Sequence, residues 1–175
     1  PAQALSDGSM NAPEGCATIS DRNGKLIFYT DGDKVYDKTH TEIDSGIGGD
    51  PTAAQSAIIV PVPGDETLYY IFTTQAVSGT SFYELRYSLF DLKLNSGNGA
   101  LVQKNILLFS KSTERVTANP QWLIAHEYGN STFRTYPITA QGIGEPVYSD
   151  IGSVHSFNVP QQGEGYMKLG GNNTL

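Results

Sequence analysis

Cysteine is nearly missing from this chain: Cys16 stands alone, so no disulfide can close within it. Beside Gly15, Ala17 and Thr18 it reads as a small buried hydrophobe. Charge is scarce too, at 17% of 175 residues, while 19 glycines and 9 prolines interrupt the chain. That composition excludes coiled coils and long helical bundles, which need charge-rich, glycine-poor sequence. Basic residues are the rarer sign, with Lys+Arg 11 against Asp+Glu 18, a net charge of −7. No nucleic-acid footprint is expected, because phosphate binding draws on clustered Lys and Arg. No stretch reaches the roughly 18 apolar residues of a membrane span. No Gly-x-Ser-x-Gly elbow occurs, and Gly46-Ile47-Gly48-Gly49-Asp50 precedes a strand, the wrong context for a phosphate loop.

What is present is a β-former's vocabulary. Hydrophobic residues make up 38%, including 10 tyrosines and 7 phenylalanines, too aromatic for disorder. An all-β chain follows. The strand Ala17-Thr18-Ile19-Ser20 runs through an Asn23-Gly24 turn into Lys25–Thr30, and Lys34–Asp37 follows Asp31-Gly32-Asp33. Asn-Gly between β-prone runs predicts a type I′ hairpin, both central residues needing positive φ. Gln55–Val62 and Leu68–Thr74 are continuously apolar, as strands covered on both faces are. Leu85–Leu94 alternates with a phase slip at Leu89-Phe90, the mark of a bulged strand. A helix competes there, since Phe82, Leu85, Leu89 and Leu92 share a helical face and Ser81 with Glu84 fits a capping box. Further strands are read at Ile106–Phe109, Trp122–His126, Thr132–Ile138 and around Val147 and Val154.

Leu26, Tyr69, Trp122 and Tyr166 recur at intervals of roughly 40 to 50 residues, each interval holding about four short strands. That is the spacing of β-propeller blades; a β-sandwich, the competing architecture, predicts no such recurrence. The expected fold is a partial β-propeller of about three to four blades in a single segment, residues 1–175: blades over 15–50, 51–112 and 113–160, and the start of a further one over 161–175.

Glu14–Asp21, Asn23–Gly32, Gln55–Pro61, Tyr69–Thr73, Leu85–Ser88, Lys104-Asn105 and Gly152–His155 carry a family resemblance. Together they resemble the N-terminal propeller-like region, of WD40 or YVTN type, in large secreted surface proteins of Bacteroidota. Those are gliding-motility-associated or PKD-repeat proteins exported by type IX secretion. Two departures stand out: only Asn119-Pro120-Gln121 separates Thr117-Ala118 from Trp122, where the family has a longer polar loop, and the chain stops soon after Leu169. The resemblance implies a piece of a longer protein, placed outside the cell or at its surface, making adhesive contacts with protein or glycan. Its open edges would be covered by the rest of its own chain or by a partner. Two rivals remain: a propeller hydrolase or lactonase with a metal in its channel, and a permanent subunit of a cell-surface or secretion assembly.

Candidate site residues are few. Tyr69, Tyr70, Phe82, Tyr83 and Tyr87 crowd one unit; exposed members could stack on sugars or anchor a partner, while buried ones would fill the space between blades. His126 and His155 fall at strand ends, where they could share a metal or general-base role or simply bond backbone. Asp31, Asp33 and Asp37 could hold calcium, the one cofactor considered, but Asp and Gly also build turns without any metal.

Overall fold

A computed structural model describes residues 6–77, 83–156 and 158–170. Three antiparallel sheets follow one another along the chain. The first holds β1 (Ala17–Ser20), β2 (Leu26–Thr30), β3 (Val35–Asp37) and β4 (Glu42–Asp44). The second holds β5 (Ala57–Pro61), β6 (Leu68–Thr74), β7 (Glu84–Asp91) and β8 (Ala100–Ser110). The third holds β9 (Ser112–Ala118), β10 (Trp122–Glu127) and β11 (Thr132–Thr139), with β12 (Gly142–Ile143) and β13 (Val147–Asp150) both pairing β11. Strand order follows chain order through β1–β4, β5–β8 and β9–β12, each a meander, and β13 returns to pair β11.

The turns explain themselves locally. Between β1 and β2, the Asp21 carboxylate accepts the Asn23 and Lys25 amides, and Gly24 takes φ +80°. Only the glycine of the Asn-Gly pair has positive φ, so the turn is not type I′. Instead the register shifts at Ile19/Ser20, a bulge that absorbs the extra loop residue.

The first strand of each sheet lies beside the first strand of the next, β1 against β5 and β5 against β9, and β4 also meets β8. Between them sit two core layers. One joins Phe28, Val35 and Ile47 to Tyr69, Ile71 and Phe90. The other joins Tyr70, Phe72, Leu85 and Phe109 to Val116, Leu123, Tyr136 and Ile138. Strand β6 therefore sends alternate side chains to opposite layers, which is why its sequence is apolar throughout. In the first layer, Phe28 stacks on Phe90 at 4.1 Å and meets Tyr69 edge-on at 5.6 Å.

The expected strand over Leu85–Leu94 forms as β7 but ends at Asp91, Leu92–Leu94 entering a turn, and its register slips at Leu89/Phe90 as the phase break predicts. Two strands run longer than the sequence suggests. Strand β8 starts at Ala100, well before Ile106, and β9 starts at Ser112, before the Thr117 region. The β9 extension is polar but for Val116, and in β8 the polar Gln103-Lys104-Asn105 separates Ala100-Leu101-Val102 from Ile106, so apolar periodicity is broken in both. No strand forms around Val154 or over 164–170 among the described residues.

Candidate functional site: a groove between the second and third sheets

The tyrosines crowded in sequence are dispersed by the pleat. Tyr69 and Tyr70 are buried in opposite core layers; Tyr69, though only 6% exposed, lines a groove of about 650 Å³ with Ile19, Leu26, Pro61 and Leu92. Tyr83 packs edge-on against Tyr128 at 5.1 Å. Phe82 lies outside the described residues. Tyr87 lines a second, smaller groove, its ring edge-on to Tyr70 at 5.7 Å.

That groove, of about 320 Å³, runs between β8 and the outer part of the third sheet. Tyr87 and Leu107 form one wall, and Arg134, Glu145 and Tyr148 form the other, with Tyr136 beneath. Cross-strand register builds the second wall. Arg134 opposes Ala125 on one side, where a small residue leaves room, and Tyr148 on the other. Its guanidinium carbon lies 4.2 Å from the Phe109 ring centre and 5.1 Å from that of Tyr148, stacked between them. Arg134 Nε donates to Glu127 Oε1 at 2.6 Å, and Asn130 braces the other carboxylate oxygen. Burial is the largest single influence and draws the Arg134 pKa down, but the bonds and charges of Glu127 and Tyr136 together outweigh it and hold the group above its usual value. Tyr136 is pushed up by burial, against the opposing pull of Arg134. None of Arg134, Tyr136, Glu145 and Tyr148 stands out in the sequence, because at least four strand connections separate them from Tyr87.

The two histidines, far apart in the chain, do meet. His126, at the end of β10, and His155, in the segment after β13, face edge-on with ring centres 4.4 Å apart. His126 Nδ1 donates to the Glu127 carbonyl at 2.6 Å, which leaves its buried Nε2 as an acceptor without a partner. Gly152 backs onto that nitrogen so closely that a Cβ there would stand 2.6 Å away. Arg115 Nη1 lies 3.3–3.4 Å from both His155 ring nitrogens and donates to the Gln162 carbonyl at 2.6 Å. Burial, then His126, then Arg115 pull the His155 pKa to about 4. Burial lowers His126 as well, helped by Arg115 and opposed by the Glu127 carbonyl. Both rings are therefore neutral near pH 7. A guanidinium against the ring disfavours a bound cation there, and among the described residues neither ring hydrogen-bonds a serine, threonine or cysteine.

The aspartates face their own loops. Asp31 Oδ1 accepts the Asp33 and Lys34 amides, Asp33 Oδ1 the Gly46 amide, and Asp37 Oδ1 the Thr39 and Thr41 amides with the Thr39 hydroxyl. Burial would raise the Asp37 carboxyl, yet these bonds hold it below the usual carboxylate range. Among the described residues no three His, Cys, Asp or Glu side chains gather as a metal site. Cys16, expected to be buried, is exposed; the pleat that turns Ala17 and Ile19 toward the first core layer leaves it facing out. No family model, curated protein or solved structure matches this chain.

Proposed function

We propose that this chain is a non-catalytic contact module: part of a β-propeller in a larger protein of the Bacteroidota surface type, working outside the cell through protein or glycan contacts. One observation carries the reading. Three meanders follow in chain order, their first strands adjacent and a core layer between each successive pair, which is how propeller blades succeed one another. The channel-metal hydrolase has less support, since Arg115 presses on the one histidine pair.

The contact surface in this reading is the far face of the third sheet. Cross-strand register puts Thr117, Ile124, Thr135 and Val147 in one row there, the Thr117 end buried where its hydroxyl accepts the Leu169 amide, and Trp122 with Pro137 in the next. None of the six belongs to either core layer, and Trp122 and Val147 are 40% and 61% exposed. A face with the alternation of a blade interior and no sheet upon it calls for another sheet or a partner. Sedimentation velocity tests this directly. The 175-residue chain should self-associate with rising concentration, and Trp122→Lys combined with Val147→Lys should return it to monomer. A wild-type chain that folds cooperatively and stays monomeric would overturn the reading.

A further inference from the structure

The geometry points to the groove between β8 and β13 as a binding site for a neutral sugar chain. This names a ligand class for the contact-module reading and rests on it only in taking the site as non-catalytic. The volume, about 320 Å³, falls at the lower end of the roughly 300–1,000 Å³ of small-ligand clefts. It suits a short stretch of a linear chain.

The lining decides the class. Tyr148 is 56% exposed and held from below by the Arg134 guanidinium, so its outer face is a supported, open platform. Tyr87, half-buried on the opposite wall, is fixed by its edge contact with Tyr70. Rigid rings on both walls match the apolar faces of pyranose rings, which present aligned C–H groups, and little side-chain entropy is lost on binding. Polar groups lie between them: the Arg134 guanidinium and the Glu145 carboxylate, both planar and able to bond neighbouring hydroxyls. Charge excludes the anionic alternative. Glu127 already neutralises Arg134 through the 2.6 Å bond, and Glu145 adds a negative charge to the wall, so an acidic ligand would be repelled. The histidine pair offers no such opening, because the groups around it are pressed together.

The test is isothermal titration calorimetry of the intact chain with four probes: cellohexaose, laminarihexaose, mannohexaose and an oligogalacturonate. At least one neutral hexasaccharide should bind, with oligogalacturonate weaker. Tyr148→Ala should weaken that binding about three- to tenfold, the effect of losing one ring contact, while Tyr148→Phe and the remote Trp122→Lys should leave it intact. Circular dichroism of each variant confirms that its fold is unchanged. Silence with all three neutral probes, preference for the acidic one, or indifference to Tyr148→Ala would each overturn the proposal. Chromatography of the sugar after incubation separates the two readings: an intact sugar fits both, whereas a cleaved one would overturn the non-catalytic reading and leave the groove as a sugar site.

Discussion

At the scale of single residues, two positions are decided by side chains outside their own loops. Gly99 sits at φ +83°, and a Cβ there would collide with Phe90 Cζ in the first core layer. Gly99→Ala should therefore lose at least about 2 kcal/mol from overpacking and backbone strain together; urea unfolding reads it directly, and a neutral result would mean that Phe90 can move aside. His155 acts through protons. Its folded pKa of about 4 lies below the ordinary value of 6.5, and His126 is lowered as well. The unfolded chain then binds protons that the folded one refuses, so stability is fully present above about pH 6.5 and falls with acidification toward 4. The urea midpoint should decline from pH 7 to pH 5, and His155→Asn should flatten that decline. An equally steep decline in the variant would place the proton uptake elsewhere.

Among the elements, β9 shows how a polar strand becomes interior. Ser112, Thr113, Glu114 and Thr117 are all buried, yet each side chain has a hydrogen-bond partner. Glu114, 2% exposed, accepts the Ala54 and Val77 amides at 2.7 Å each and so ties two loops of the second sheet to the third. Burial raises its pKa against those two bonds. Gln55 acts alike: its Oε1 accepts the Val116 and Met167 amides, and its Nε2 donates to the Met167 carbonyl. Glu114→Ala would strand two amides, the Val77 one fully buried, at about 1–3 kcal/mol each. The expected loss of about 2–5 kcal/mol is measurable by chemical denaturation, and a change below about 1 kcal/mol would show that water replaces the carboxylate.

For the whole molecule, the balance lies between the two core layers and the exposed part of the third sheet's far face. Hydrophobic burial is little affected by salt, whereas exposed ion pairs such as Arg22–Glu66 and Lys34–Glu42 are screened. Self-association through Trp122, Ile124 and Val147 should therefore persist at 1 M salt. Dissociation with rising salt would assign the contact to charge instead, and would favour a transient partner over a permanent one.

Composition, the unbroken apolar run of β6 and the alternation of β7 were enough to determine an all-β chain, most of its strands, and the bulge near Leu89. Turn chemistry marked most of the loops, because Asp, Asn and Gly act over two to four residues and their effect is local. What the sequence could not reveal depends on which strands are neighbours in space. Only tertiary packing buries Tyr69 and Tyr70 in opposite layers, brings His155 against His126, and sets Tyr148 across from Tyr87 with Arg134 between two rings. The scarcity of cysteine, by contrast, decided little: with no crosslink available, the two core layers and the buried carboxylate of Glu114 are what hold the three sheets in register with one another.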